Sequence, residues 1–513
     1  MKLLFVLPYQ VVKNEPGIRD KPTISLPLGV LGIASYLREA GWHGEVEIYD
    51  CRLTGKVTEN ERGDVHFGDL PDEVERRIKA SKADVIGISN MFTWQVGQAY
   101  EVADIARRAC PDSTIVMGGP HVSSHPEEAL ARDAIDFVVM GEGEERTLAL
   151  LQALEAGERP QIEGVMADDH DKVFLRKSKK QPISFIQKLD ELPFPAYDMV
   201  DVQRYFSLQR QGFSPREKEE GARTVSMITS RGCPHKCVFC SIQNTMGYKW
   251  RWHSVDYIER HLSMLQREYG VDYVHFEDDN FTHDPERYDE ILESLVKFRP
   301  LIRWDTPNGI RGDTWTFERV KRSKEAGCQY LIVAIESGVQ RVIDNVVKKN
   351  LDLSQVDDLM DACKRNDLPL FAFYILGLPG ETLAEVQANA DYALERFWKY
   401  DCFPTFNLAI PMPGTELHDN VTEHQLYDGR ELQYRANVIT TEEWSPEDIK
   451  AVYDRSLLRL MGMMAAKSAT SPKHLKYLTK LTWRYRHYLG NFTKSALESI
   501  TGNLPGRLRA LAG

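Results

Sequence analysis

The residues of this chain whose types and spacing point most directly to chemistry are three cysteines that lie close together. Cys233, Cys237 and Cys240 form a C-x3-C-x2-C pattern. Three thiolates at such short spacing can converge and ligate three irons of a four-iron cluster. The fourth iron then stays open, and the amine and carboxylate of a bound amino-acid moiety can chelate it. Gly232, just before the first cysteine, lets the backbone approach the cluster closely.

A zinc site is the alternative interpretation of the same pattern. Structural zinc needs four ligands, usually supplied by paired C-x2-C arms. Here the fourth ligand would have to be a distant cysteine or His235, which lies inside the loop and is poorly placed to converge. The spacing therefore favours an iron–sulfur cluster. The remaining five of the eight cysteines are scattered singly, which is not typical of a disulfide framework and predicts a reducing, cytoplasmic location.

The cysteine loop must be positioned by the elements around it, and residues 221–418 read as six strand–helix units. The apolar strand candidates are 224–229, 273–276, 302–305, 330–334, 371–376 and 405–410. Six such units predict a partial (β/α)6 barrel, in which chemistry collects at the carboxyl ends of the strands. The cysteine loop directly follows the first of these strands, at such an end.

A second α/β region precedes the barrel, at residues 1–155. Its strand candidates are short and mostly rich in β-branched residues, as strands buried on both faces should be: 3–7, 46–49, 85–89, 114–117 and 135–139. Helical patterns such as 98–109 separate them. This alternation predicts a Rossmann-like, doubly wound parallel sheet.

Two further regions complete the predicted organisation. Residues 156–220 form a connector that is broken by prolines, carries a basic stretch at 176–180 and is predicted to contain a few short strands. Residues 419–513 read as mainly helical, with candidate helices at 446–464 and 472–489. No run of about 18 apolar residues occurs, so the sequence predicts no transmembrane helix. The beginning of the chain reads as a first strand rather than a signal peptide.

Charge is distributed unevenly along the chain. The net charge is −12, but the residues from Lys467 onward carry +8, which leaves −20 for the rest. The acidic body argues against nucleic-acid binding. The basic amphipathic segment of the tail is either a helix packed on the barrel with solvated lysines, which we favour, or a peripheral contact with a membrane surface.

The barrel region resembles the radical S-adenosylmethionine superfamily, and the resemblance runs through all six strand ends. An aromatic residue before the last cysteine matches the one that lies against the adenine in this family. The acidic segment after the second strand resembles the motif that holds the amino group of the methionyl portion, as a carboxylate facing an ammonium should. The resemblance implies contacts to the cluster-bound cofactor from Phe239, Glu277, Asp278, Asp279, Asn280, Arg311, Glu336, Ser337, Gly377 and Pro379.

The N-terminal region is similar to the cobalamin-binding domain of the subfamily that couples both cofactors. Its glycine-rich turns at strand ends suit a nucleotide-like tail lying on the sheet. The implied cobalamin contacts are Ser89, Asn90, Thr93, Gly118, Gly119, Pro120, His121, Gly141, Glu142 and Gly143. One departure is that no D-x-H-x-x-G sequence offers a lower ligand to cobalt.

This resemblance implies an enzyme with a 4Fe-4S cluster, S-adenosylmethionine and cobalamin as cofactors. The expected reaction is methylation of an unactivated carbon of a small-molecule or lipid-like substrate through a 5'-deoxyadenosyl radical. An electron donor such as a flavodoxin or ferredoxin is the expected partner. The alternatives are a cobalamin-dependent radical cyclase or rearrangement enzyme, radical chemistry without cobalamin, and a redox sensor that performs no catalysis.

Overall fold

The N-terminal unit is a three-layer α/β sandwich around one six-stranded sheet. The protein is seen here as a computed structural model that describes residues 1–13, 21–167, 183–216, 221–426 and 437–470. The sheet order is β3-β1-β6-β7-β8-β9, parallel throughout except for the last pair. Three shorter strands, β2, β4 and β5, form a separate antiparallel sheet. The strands are β1 (Lys2–Leu7), β2 (Gln10–Val12), β3 (Glu45–Asp50), β4 (Val57–Glu59), β5 (Val65–Phe67), β6 (Val85–Ser89), β7 (Thr114–Gly118), β8 (Phe137–Val139) and β9 (Val165–Ala167).

Alternation along the first strand shows how this sheet is covered on both faces. Leu4 and Val6 point into one core and Leu3 and Phe5 into the other. Helices Pro71–Ser81 and Val96–Ala109 cover the first face, and Leu28–Glu39 and Glu144–Glu155 cover the second. The short helices Pro120–Ser124 and Pro126–Leu130 follow β7. The predicted doubly wound parallel sheet is confirmed.

The second unit is an open barrel of six parallel strands. Two three-stranded sheets, β10-β13-β14 and β15-β16-β17, continue into one another through the parallel bridges Trp304–Cys328 and Ile310–Val333. A two-stranded antiparallel ladder, β11-β12, stands at the carboxyl end of β10. The strands are β10 (Thr224–Met227), β11 (Ser230–Arg231), β12 (Arg251–Trp252), β13 (Tyr273–Phe276), β14 (Arg303–Asp305), β15 (Leu331–Glu336), β16 (Leu370–Leu376) and β17 (Phe403–Leu408).

Helices pack around the outside of this barrel and give it the largest apolar core of the protein. The aromatic rings of Phe276, Phe281, Tyr288 and Trp304 pack against one another between the sheet and helix Pro285–Leu295. The helices are Ile242–Thr245, Val255–Met264, Pro285–Leu295, Phe317–Glu325, Leu353–Arg365, Leu383–Tyr400 and Glu416–Glu423. The predicted partial (β/α)6 barrel is confirmed.

The connector and the C-terminal region each differ from expectation in one element. The connector contributes strand β9 and also a helix, Val202–Leu208. The sequence pattern does not indicate this helix, because its buried residues pack against both units. The helix predicted over 446–464 continues as Pro446–Thr470 and packs on Leu383–Tyr400. The basic stretch 176–180 and the candidate helix 472–489 lie outside the described residues. Within the described ranges, no helix is long and apolar enough to cross a membrane.

Candidate active site

The cysteine loop leaves β10 through the short ladder β11-β12 and is held by backbone hydrogen bonds. Cys233 N donates to Gly247 O at 3.2 Å, and Val238 N donates to Val347 O at 3.2 Å. Gly232 has φ +83°, and a Cβ there would lie 2.5 Å from Lys249 O. A side chain at this position therefore does not fit, and glycine lets the first cysteine approach its neighbours.

All three cysteines of the loop are free thiols that are partly buried. Burial raises the pKa of each, that of Cys240 to about 12, so cluster binding must displace protons. Within the described part of the chain, no three His, Cys, Asp or Glu side chains are grouped to hold a single metal ion. A four-iron cluster does not require that grouping, because each thiolate binds a different iron.

The acidic segment after β13 accepts hydrogen bonds from the chain that leads into the cysteine loop. Asp278 is fully buried and accepts hydrogen bonds from Thr229 N at 2.7 Å, Thr229 Oγ1 at 2.6 Å and Ser230 Oγ at 2.6 Å. Asp279 accepts from Gly232 N at 2.7 Å, and burial raises its pKa to about 7. These two carboxylates therefore fix the chain that leads into the first cysteine.

The two outer residues of the same segment have different surroundings. Glu277 accepts from Ser226 Oγ at 2.9 Å and Arg216 Nε at 3.3 Å. Asn280 Nδ2 lies 3.8 Å from Cys233 Sγ, while its Oδ1 is buried. That Oδ1 and the buried hydroxyls of Thr282 and Thr306 have no hydrogen-bond partner among the described residues. The unpartnered acceptor of Asn280 beside the first cysteine fits a bound S-adenosylmethionine, whose polar groups would satisfy it.

Several other side chains at the barrel mouth, predicted as cofactor contacts, are engaged by protein partners. Arg311 donates to Asp313 at 2.8 Å, and Glu336 accepts from Lys349 Nζ at 2.8 Å. Ser337 Oγ accepts from Val339 N at 3.2 Å in a local turn. For these side chains, direct contact with the cofactor stays a prediction. The structure shows that each already has a protein partner, which would compete with the cofactor.

The remaining predicted barrel residues line the same edge with apolar groups and backbone. Phe239 is half-buried and packs against the barrel core. Gly377 has φ +84° and its carbonyl accepts from Asn437 Nδ2, while Pro379 is half-buried in the same loop. The loop thus offers the turn and the backbone that the sequence predicts there.

His275 and Asp305, two polar residues inside the barrel, are not among the predicted site residues. His275 Nδ1 lies 2.7 Å from Asp305 Oδ1, and Tyr273 donates to Asp305 Oδ2 at 2.7 Å. His275 Nε2 is buried and has no partner in the described residues. The available signal was a histidine and an aspartate within otherwise apolar strands, both on the inward face below Glu277.

The carboxyl edge of the N-terminal sheet carries buried polar atoms of uncharged type. Asn90 follows β6, and Gly119 follows β7 with φ +118°, so close to Asn90 O that a Cβ would lie 2.0 Å from it. Unpartnered atoms within the described ranges are Asn90 Oδ1, Gln95 Nε2, His121 Nδ1 and His125 Nδ1. Amide and imidazole atoms of this kind suit a large ligand with many amide groups, as cobalamin has.

The other predicted cobalamin contacts surround these atoms. Ser89 ends β6, Thr93 begins a short helical turn, and Gly118 and Pro120 flank Gly119. His121 is buried, and burial lowers its pKa, so the ring is neutral at pH 7. Exposed apolar side chains stand beside them, with Met91 42% and Phe92 44% exposed. The structure therefore brings these predicted residues to one edge.

The loop after β8, which includes Gly141 and Gly143, reaches the helix after β7, where Gly141 N donates to Ser123 Oγ at 2.9 Å, and also contacts the barrel. Glu142 accepts from Arg231 Nη1 at 2.9 Å and from Arg251 Nη1 at 2.8 Å, and its second oxygen accepts from Ile186 N at 2.7 Å. The role of Glu142 as a cofactor contact stays a prediction, and the structure shows that its carboxylate is bonded by protein donors.

The carboxyl edges of the two sheets face each other. His125, after β7, lies 6.0 Å from His418, after β17, measured between ring centroids. Gly414 packs so closely on Ser124 that a Cβ would lie 3.0 Å from Ser124 Cβ. The cysteine loop and the N-terminal glycine turns therefore lie at the facing edges of the two units.

Known proteins share this arrangement in sequence and in fold. The B12 binding domain family matches residues 22–151, and the Radical SAM superfamily matches residues 227–393. An uncharacterized methyltransferase of Pyrococcus horikoshii is 32% identical over 430 residues, 83% of this chain and 84% of the relative. The cytidylyl-2-hydroxyethylphosphonate methyltransferase of Streptomyces wedmorensis is 29% identical over 444 residues, 81% of each chain.

More distant comparisons agree with these. An anaerobic magnesium-protoporphyrin IX monomethyl ester cyclase of Rubrivivax gelatinosus is 23% identical over 396 residues, 76% of this chain and 65% of the relative. Among solved structures, the radical S-adenosylmethionine methyltransferase TsrM from Kitasatospora setae, with cobalamin and a [4Fe-4S] cluster bound, superimposes with a TM-score of 0.65. That comparison covers 90% of this chain and 88% of the other at 16% identity, a similarity of fold.

Proposed function

This chain belongs to the cobalamin-dependent radical S-adenosylmethionine methyltransferase family, and we propose that it methylates an unactivated carbon of a small-molecule or lipid-like substrate held between its two sheet edges. It is an enzyme that uses a 4Fe-4S cluster, S-adenosylmethionine and cobalamin. The match to the B12 binding domain removes the alternative of radical chemistry without cobalamin. Cyclisation is known for some relatives but is not favoured.

The observation that carries the proposal is that the two carboxyl edges face each other. Bound at these edges, the cofactors would supply a carbon-centred radical and a transferable methyl group. A substrate carbon would have to be reached from both edges in turn. The packing of Gly414 on Ser124 and of His125 near His418 holds the two edges next to each other.

The chain's own residues contribute binding, orientation and exclusion of water. The three cysteines would hold the cluster, and Asp278 and Asp279 orient the backbone that leads into Cys233. Asn280, with Thr282, would accept and donate hydrogen bonds to the amino-acid portion of the cofactor. Apolar side chains such as Phe92 would cover the substrate and keep water away from reactive groups.

The charge at the barrel mouth restricts the kind of substrate. Arg216, Arg311 and Lys349 are each paired with a neighbouring carboxylate. Among the described residues, each of these three cations is therefore already neutralised by a carboxylate of the protein. This favours a substrate whose reacting portion is uncharged or weakly charged. An electron donor such as a flavodoxin or ferredoxin would reduce the cluster, and eight free cysteines suit a reducing, cytoplasmic compartment.

The experiment is anaerobic reconstitution with iron, sulfide and cobalamin, followed by reduction in the presence of trideuteromethyl S-adenosylmethionine. The small-molecule fraction of a cell extract serves as the substrate pool. We expect deoxyadenosine together with a product heavier by one trideuteromethyl group in place of hydrogen. A Cys233→Ala/Cys237→Ala/Cys240→Ala variant should lose cluster iron and deoxyadenosine and keep cobalamin. Deoxyadenosine without any labelled product would contradict methyl transfer, and equal deoxyadenosine from the variant would contradict the cluster assignment.

A further inference from the structure

Four charged side chains form a closed ion-pair group at the boundary between the two units. Glu142 and Glu144 come from the loop and helix after β8, and Arg231 and Arg251 come from the ladder β11-β12. Arg231 spans both acids, since its Nη1 donates to Glu142 at 2.9 Å and its Nη2 to Glu144 at 2.8 Å. Arg251 Nη1 lies 2.8 and 2.9 Å from the two oxygens of Glu142. We call this group the inter-unit clamp.

The inter-unit clamp is buried and fully satisfied. The side chain of Glu142 is 1% exposed and that of Arg251 is 2% exposed. Two positive charges face two negative charges, and backbone groups take the remaining bonds, with Ile186 N donating to Glu142 and Ile186 O accepting from Arg251. Such a group has one low-energy arrangement, because every displacement leaves a buried charge without its partner.

The inter-unit clamp acts on the cluster loop through very short lengths of chain. Arg231 is directly followed by Gly232 and Cys233. Arg251 pairs with Arg231 across the ladder and donates from Nη2 to Met246 O at 2.6 Å. The carbonyl of Met246 is one of the groups that pack where a Cβ on Gly232 would lie, at 2.9 Å. Both ends of the loop are therefore tied to Glu142.

We propose that Glu142 is a positioning residue that fixes the distance between the cluster and the cobalamin site. Glu142 follows β8 in the cobalamin-binding unit, and its two arginine partners carry the cluster loop. The proposal rests on the proposed function, because it requires both cofactors. Methyl transfer needs close geometric control, and a misplacement of about 1 Å can cost about a hundredfold in rate. The clamp would supply that control by holding the cluster loop against the cobalamin-binding unit.

The experiment measures the two cofactors' magnetic interaction in the full chain loaded with both. Cobalt(II) in cobalamin and the reduced cluster are both paramagnetic, and the electron spin relaxation of cobalt(II) accelerates steeply as the cluster comes closer. In Glu142→Gln, the amide nitrogen would face the arginine or Ile186 donors, so the clamp opens. We expect a several-fold change in the cobalt(II) relaxation rate, with cobalt and iron content per chain unchanged.

A matched control is Asp136→Asn, since Asp136 pairs with Arg107 at 2.6 Å and accepts from Ile115 N but stays within one unit. It should leave the relaxation rate at the value of the unmodified protein. An unchanged rate in Glu142→Gln would overturn the inference while leaving the proposed function intact. Failure of the unmodified protein to bind both cofactors would instead count against the proposed function.

A milder substitution tests the same proposal if Glu142→Gln does not fold. Glu144 makes a single bond to Arg231, so Glu144→Gln loosens only one arm of the clamp. We expect a smaller relaxation change in the same direction, again with full cofactor content. If Glu144→Gln keeps the rate of the unmodified protein while Glu142→Gln cannot be loaded, the positioning role is rejected in favour of a purely structural one.

Discussion

The two facing edges of this molecule handle polar groups in opposite ways. At the barrel mouth, charges dominate and most are paired, as in Arg216–Glu277, Arg311–Asp313 and Lys349–Glu336. At the edge of the N-terminal sheet, the polar groups are amides and imidazoles, and four of their atoms are buried without a partner in the described residues. The charges at the barrel mouth are therefore paired before ligands arrive, whereas the N-terminal edge, like the uncharged Asn280, Thr282 and Thr306 of the barrel, keeps polar atoms that a ligand can satisfy.

This difference has a physical reason. A cluster with a charged, reactive ligand needs fixed charges around it, and fixed charges in a partly buried site must be paired to be tolerated. A large uncharged ring system with amide arms needs a surface of donors and acceptors that it completes itself. Losses at the barrel edge should therefore appear as losses of protein stability, and losses at the N-terminal edge as losses of ligand affinity.

The strongest test of this difference is removal of Asp278. In Asp278→Ala, the buried hydroxyls of Thr229 and Ser230 and the amide of Thr229 lose their acceptor, at a cost of about 3 kcal/mol in the free energy of unfolding. Asp278→Asn keeps one acceptor oxygen and should cost about 1 kcal/mol. Urea unfolding followed by circular dichroism measures both. Asp198→Ala, at the exposed Arg38–Asp198 ion pair, is the control and should change stability little.

A smaller effect is expected at Glu381, a barrel carboxyl that departs from the pairing rule. It is 1% exposed, its Oε2 accepts from Leu378 N at 2.7 Å, and its Oε1 has no partner in the described residues. Burial raises its pKa from 4.5 to about 8, so the folded protein keeps it protonated at pH 7 while the unfolded chain does not.

The sign of the pH dependence follows from proton binding. Between pH 4.5 and 8 the folded state binds more protons at Glu381 than the unfolded state, so the free energy of unfolding falls as pH rises through that window. Glu381→Gln imitates the protonated form and should gain about 2 kcal/mol relative to the unmodified protein on going from pH 6 to pH 8. Parallel stability curves for the two proteins over this range would show that the carboxyl is ionised when folded.

The smallest effect is expected at the N-terminal edge. Asn90→Ala removes an unpartnered acceptor and one hydrogen bond, from Nδ2 to Phe92 O at 3.0 Å, so the free energy of unfolding without ligand should change by only about 1 kcal/mol. Cobalamin affinity should fall by about tenfold, the value of one lost hydrogen bond, with cluster iron unchanged. Equilibrium dialysis with cobalamin measures it. A loss of stability without a loss of affinity would reverse the comparison between the two edges.

Local sequence patterns determined the architecture and the chemistry of this protein. Period-two and continuous apolar runs predicted both parallel sheets, and cysteine spacing predicted the cluster loop, because these signals reside within a few residues of one another. The sequence also singles out the glycines at 232 and 119. The positive φ and the close neighbours that leave no room for a side chain there are seen in the structure. Membership of the family then followed from motifs that each stand at a strand end.

Only the tertiary structure decided which polar side chains meet. Glu142 bonds Arg231 and Arg251, which lie 89 and 109 residues further along the chain, and His275 meets Asp305 across neighbouring strands 30 residues apart. No local pattern encodes such pairs, since many carboxylates and arginines are available and burial alone selects among them. The sequence could name Glu142 as functional, but only the packing of one unit against the other shows that its carboxylate bonds the arginines beside the cluster loop.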